Sequence, residues 1–137
     1  MTPISFVLLM LGLAVGAWVG GHLLLWVASP LLFLKADTAF TNGLVIVVPK
    51  ALRAKLSHDE LAAVKAHEWG HIRLGHPYLN LLNACLNRRR SVAEGRLQEL
   101  QADDYAASAG HGAALACVLR RSVMPFDLYR AKRLASA

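Results

Sequence analysis

The sequence predicts an α+β protein in two parts: a transmembrane helix within residues 1–35, then a small, mainly helical domain over 36–137 that carries a short β-hairpin. Three observations carry this. From Ile4 to Leu34 no acidic or basic side chain occurs except His22, a run longer than the ~20 residues that cross a bilayer. Between Thr38 and Val48 two short runs rich in β-branched and apolar residues flank Asn42-Gly43, the dipeptide that most favours a tight hairpin turn. Downstream, Ser57-His58-Asp59-Glu60 and Ser91-Val92-Ala93-Glu94 are capping boxes, in which each serine and glutamate satisfy one another's backbone N–H groups at a helix start.

The N-terminal run has room for one span. No lysine or arginine precedes it, whereas a cleaved signal peptide opens on a positive region and has a shorter apolar core, so a retained anchor is the expectation. Ser29 and Pro30 are expected to break the helix near its end, and Trp18 and Trp26 to lie towards the interfaces. Gly12, Gly16, Gly20 and Gly21 recur at spacings that allow helix–helix association. Lys35, Lys50, Arg53 and Lys55 all follow the span, which orients a single-pass protein with its domain in the cytoplasm. Cys85 and Cys117 have no metal-like spacing and read as buried thiols.

In the hairpin, Thr38–Thr41 and Leu44–Val48 are the expected strands, and Pro49 ends the second. Ser57 opens a helix that runs to Leu74, with Gly75 and Pro77 writing its end. Leu79, Leu82 and Leu86 repeat at helical spacing over Tyr78–Asn87 and read as core. Arg88-Arg89-Arg90 makes a loop, Ser91 opens a helix to Ala109, and Gly112–Ser122 is a short apolar helix. The formal charge of +6 comes with no groove-reading motif, so a nucleic-acid partner is not expected; basic clusters on a tethered domain suit anionic lipid headgroups.

The chemistry lies in Ala66-His67-Glu68-Trp69-Gly70-His71. Residues four apart share a helix face, so the imidazoles of His67 and His71 can converge on one metal ion with Glu68 beside them. Two neutral imidazoles suit one Zn²⁺ per chain, which in a catalytic site takes a third protein ligand and a water. Glu68 is placed to be that water's base. The class whose third ligand is a histidine six residues past the second is excluded, because that position is Pro77 and its glycine is Leu74. A glutamate from a later helix is the other common solution. Glu99 can supply it, with Asp103 one turn on to receive the free N–H of a ligand histidine; the plain alternative is that both are solvated carboxylates on a surface face. Ala102 and Ala106 allow that helix to approach the first closely. For the oxyanion of a hydrolysed carbonyl, His76, Tyr105, His111 and Arg120 are candidates, with His111 preferred.

The runs "SHDELAAVKAHEWGHIRLGHP" and "ELQADDYAA" resemble the gluzincin zinc metalloproteases of the HtpX and CAAX-processing type, whose pattern is His-Glu-x-x-His followed by Glu-x-x-x-Asp. The preceding "TAFTNGLVIVVPKAL" is similar to the strand segment ahead of the motif helix in that family. The resemblance implies a zincin domain with an edge strand beside the motif helix. It also implies zinc-dependent endopeptidase activity on a peptide or protein substrate, membrane-associated ones included, lying along Leu44, Val45, Ile46, Val47 and Val48 or along the partner strand. The short gap from His71 to Glu99, "HP" after the first motif and "MP" after the second are closer to the ImmA/IrrE-type gluzincins. The alternative from another class is a membrane-anchored binding or regulatory protein whose zinc site is structural or inactive. A basic C-terminal tail that blocks its own cleft is a further possibility.

Overall fold

The computed structural model of the chain describes residues 2–32 and 38–136. It is mainly helical, with seven helices and one two-stranded sheet among the described residues. Helix α1 (Pro3–Leu32) is apolar on every side, and its stretch Ile4–Leu31 is long and apolar enough to cross a membrane. Lys35 and the expected boundary between residues 35 and 36 lie outside the described residues. A Cβ added at Gly12, Gly16, Gly20 or Gly21 would meet nothing within 4 Å, so among the described residues these glycines allow no close packing.

Helix α1 does not break at Ser29-Pro30 as expected; it continues to Leu32. Proline has no N–H to donate to the carbonyl four residues back, which here is Trp26. Two side chains replace the missing donor: Ser29 Oγ bonds Trp26 O at 2.6 Å and Asn42 Nδ2 bonds it at 3.0 Å.

That second bond also reshapes the hairpin. Strands β1 (Phe40–Thr41) and β2 (Ile46–Val47) pair antiparallel, Phe40 opposite Val47 and Thr41 opposite Ile46. Four residues therefore connect them, not the two-residue turn expected from Asn42-Gly43. Asn42 is buried and accepts from Leu44 N and Val45 N at 3.0 and 3.2 Å. Its side chain replaces the backbone bonds of a tight turn and widens the loop. Gly43 has φ +92°, and Tyr78 packs where its Cβ would be.

After one short turn, α2 (Lys50–Arg53), the domain is helical. Both capping boxes form: Ser57 with Glu60 at the start of α3 (His58–Arg73), Ser91 with Glu94 at the start of α5 (Val92–Ser108). Gly75, at φ +73°, turns the chain from α3 into α4 (His76–Cys85). Helices α6 (Gly112–Leu119) and α7 (Pro125–Ala135) complete the fold; α7 had no separate place in the sequence reading.

The core is built from small side chains. Ala63, Ala66, Ala106, Leu115, Ala116 and Leu134 cluster where α3, α5, α6 and α7 meet. Helices α3 and α5 touch at Gly70, where an added Cβ would stand 3.0 Å from both Cα and O of Ala102. Two expectations of burial do not hold. Leu79 and Leu82 on α4 and Leu86 just past its end are exposed, because α4 packs on α1 and α3 and leaves this face uncovered. Cys117 is exposed and Cys85 half-buried, since α6 buries Leu115 and Ala116 instead.

Candidate metal centre

Helix α3 brings His67 and His71 one turn apart, and α5 brings Glu99 and Asp103 against them. The ring Nε2 atoms of His67 and His71 are 3.1 Å apart. Glu99 Oε2 lies 3.3 Å from His67 Nε2, and its Oε1 lies 3.5 Å from His71 Nε2. These three edges can be tested against a metal. Ligands at about 2.0–2.1 Å from a tetrahedral zinc stand about 3.3–3.4 Å from one another, so the triangle fits. His67, His71 and Glu99 are the group among the described residues whose ligand atoms could hold an ion.

The opposite ring nitrogens are already engaged, which leaves both Nε2 atoms for the ion. His67 Nδ1 is 3.0 Å from Asp103 Oδ1, a close ionic contact that misses the alignment of a full hydrogen bond. His71 Nδ1 meets His76 Nδ1 at 2.9 Å, and His76 Nε2 meets Gln101 Oε1 at 3.1 Å. A polar chain from α5 through the start of α4 thus orients a candidate ligand on α3. His76, an oxyanion candidate in the sequence, lines the cleft but is tied into this chain.

Arg130 on α7 is the residue that sequence reasoning missed. Its Nε and Nη2 bond both oxygens of Asp103 at 2.8 Å, and Nη2 stands 3.2 Å from Glu99 Oε2. Asp127, one turn earlier on α7, holds Nη1 at 3.2 Å. Asp103 is wholly buried and Arg130 nearly so; unpaired, either charge would cost several kcal/mol. No local pattern around Arg130 announces a partner 27 residues away. Two carboxylates left over beside the histidines were the available hint.

The ionisation follows from this packing. Burial works against a charged His67, but Asp103 and Glu99 outweigh it and hold its pKa up to about 9. Burial would raise Glu99, yet His67, His71 and Arg130 bring it down to about 2. His71 falls to about 4, through burial first and then the charge of His67. Glu68, 7% exposed, is pushed up to about 7 chiefly by burial.

Glu68 lines a cleft of about 710 Å³ together with the three candidate ligands. Of the two strands expected beside a substrate, the partner, β1, borders the cleft, with Thr38 and Ala39 just before it, while Leu44–Val48 do not line it. The register explains this: β2 pairs with β1, and β1 lies on the cleft side. His111 precedes α6 at its N-cap position, without a side-chain capping bond, and, like Tyr105 and Arg120, is not among the lining residues, whereas Arg121 and Arg130 are. Arg121 is itself ion-paired with Glu60. A triangle of two buried imidazoles and a half-buried carboxylate, with a second carboxyl of near-neutral pKa beside an open cleft, is suited to metal-assisted hydrolysis.

No curated protein and no solved structure matches the chain. The family model of Peptidase family M48 matches residues 33–93, a segment that holds the hairpin, all of α3 and α4, and ends ahead of Glu99. Over that segment the chain is similar to Peptidase family M48, and the match supports a metallopeptidase of the zincin type.

Proposed function

We propose that the chain is a membrane-anchored zinc endopeptidase of the gluzincin kind, with His67, His71 and Glu99 as ligands of one ion and Glu68 as general base. The observation that carries the reading is the Nε2–Nε2–carboxylate triangle with edges of 3.1, 3.3 and 3.5 Å, set in the wall of a cleft beside Glu68. When bound, zinc would supply Lewis-acid polarisation of the scissile carbonyl and lower the pKa of a water. Glu68 takes the proton of that water at its carboxylate and returns it to the departing amine. Asp103 holds His67 with Nε2 turned to the ion, and Arg130 holds Asp103. A peptide lies in the cleft between β1 and the loop that joins α6 to α7. The domain is read as cytoplasmic from the basic residues that follow α1, and the substrate as a peptide or protein, membrane-bound ones included.

The test is metal content and peptide cleavage on detergent-purified protein. Wild type holds about one zinc per chain. Glu68→Gln keeps the metal and loses cleavage by roughly 10²–10⁴-fold, whereas Glu99→Ala weakens the metal. A Glu68→Gln protein that cleaves as fast as wild type removes the base assigned here. Zinc retained equally by Glu99→Ala removes the third ligand, and zinc in a wild type that cleaves nothing favours the structural-site alternative.

A further inference from the structure

Helix α5 supports the two histidines of α3 by different routes. Asp103 faces Nδ1 of His67 directly. His71 is reached through an intermediate: its Nδ1 meets Nδ1 of His76 at 2.9 Å, and Nε2 of His76 meets Oε1 of Gln101 at 3.1 Å. Gly75, in the left-handed conformation at φ +73°, makes the turn that lays the first residue of α4 against the end of α3. His76 is 4% exposed, and its ring makes no other hydrogen bond among the described residues.

Two facing ring nitrogens have one proton to share. A neutral imidazole carries a proton on one nitrogen and a lone pair on the other, and burial, which lowers the pKa of both His71 and His76, favours that neutral form. Across the contact between them, one Nδ1 donates and the other accepts. Two arrangements satisfy this. In the first, His71 carries its proton on Nδ1 and presents a bare Nε2, the atom an ion needs, while His76 accepts at Nδ1 and carries its proton on Nε2. In the second, His76 donates from Nδ1, and the proton of His71 sits on Nε2, in the place of the metal. The two rings alone do not choose. Gln101 does, because its carbonyl oxygen accepts and has nothing to donate, so it stands opposite a protonated Nε2 of His76 and selects the first arrangement. The second would require the amide to turn round and offer an N–H.

We propose that Gln101 and His76 are positioning residues of the metal centre. The Gln101 carbonyl fixes the proton of His76 on Nε2, and His76 in turn fixes the proton of His71 on Nδ1, which leaves His71 Nε2 open for the ion. The inference rests on the reading of His67, His71 and Glu99 as metal ligands. It gives the centre two unlike supports: His67 leans on an anion, whereas His71 leans on a neutral relay that ends at an exposed residue. The support of His71 is therefore the one that a surface substitution reaches.

The experiment uses full-length protein in detergent and two readouts. Zinc affinity is measured by competition with a chelator, and magnetic resonance of the ring nitrogens in the metal-free protein tells a protonated nitrogen from a bare one. The variants are Gln101→Met, which keeps the length of the side chain without an acceptor; His76→Asn, whose side-chain oxygen can accept where Nδ1 stood; and the two combined. In the wild type the protons are expected on Nδ1 of His71 and on Nε2 of His76. Gln101→Met is expected to weaken zinc binding by roughly tenfold and to mix the proton positions of both rings. His76→Asn is expected to hold zinc more tightly than Gln101→Met does, and adding Gln101→Met to it should change nothing further, because the relay then ends at residue 76. A metal-free His71 protonated on Nε2 overturns the proposal, as does a Gln101→Met protein with wild-type zinc affinity. Equal weakening by Gln101→Met with and without His76→Asn assigns the effect to α5 at large, and also overturns it. A wild type that holds no zinc removes the metal centre itself, and the relay's purpose with it.

Discussion

At His67 the two ring nitrogens have separate tasks: Nδ1 faces Asp103 and Nε2 faces Glu99 and His71. Between two carboxylates the metal-free ring keeps its proton up to about pH 9. Glu99, with a pKa of about 2, and His71, of about 4, are already deprotonated at neutral pH. The sign follows. Below about pH 9 a metal must displace one proton, from His67, so affinity rises with pH by about tenfold per unit and levels off above that. Titration calorimetry at about pH 7.5 in buffers of different ionisation enthalpy is expected to show about one proton released per zinc; none released would mean that His67 is neutral before the ion arrives. At this scale the sequence was legible wherever one helix carried the pattern. His67, Glu68 and His71 have fixed spacing on α3, and Glu99 and Asp103 repeat the spacing on α5. Gln101 and Arg130 were not legible, because their roles exist only once α5 and α7 have docked.

Between elements, the site depends on how closely α3 and α5 approach, and Gly70 sets that distance. A methyl there would stand 3.0 Å from the backbone of Ala102 and from Tyr105 Cβ, and a backbone cannot turn aside as a side chain can. Gly70→Ala is expected to cost about 1–3 kcal/mol and, by moving Glu99 outward, to weaken zinc binding; thermal unfolding and metal content measure both. Gly12→Ala, whose Cβ meets nothing, is the matched control and should change neither. Wild-type zinc affinity in the Gly70→Ala protein would show that the helices have slack. Helix starts were readable because a capping box is a local exchange of hydrogen bonds between residues three apart. The hairpin's loop was not, because Asn42 answers to a carbonyl that Pro30 leaves bare in α1, a partner outside any local window. The leucine spacing of α4 gave its helix but not its environment, since periodicity marks a face without saying what covers it.

For the molecule as a whole, the open question is what α7 does at the cleft. A basic terminal segment invites the idea of a plug that keeps a protease latent. Its contacts indicate a support instead. Arg130 reaches past the cleft wall to grip both oxygens of Asp103, and Asp127 on the same helix holds the guanidinium in place. Leu134 and Ala131 are buried, Leu134 within the common core. Taking α7 away would leave Asp103 buried with His67 as its remaining partner and open one side of that core. Breaking a buried pair from one side costs about 3–5 kcal/mol, a large share of a small domain's stability. Truncation before Pro125 and the single change Arg130→Ala are therefore expected to lower the unfolding temperature, the zinc content and the cleavage rate together. Arg130→Lys keeps the charge without the two-pronged grip and should fall between Arg130→Ala and wild type. The two accounts separate on the sign of one measurement: a plug predicts faster cleavage when α7 is removed, and a support predicts slower cleavage with metal lost. If the truncated chain holds its zinc and cleaves faster, Arg130 is a latch, and Asp103 orients His67 without its help.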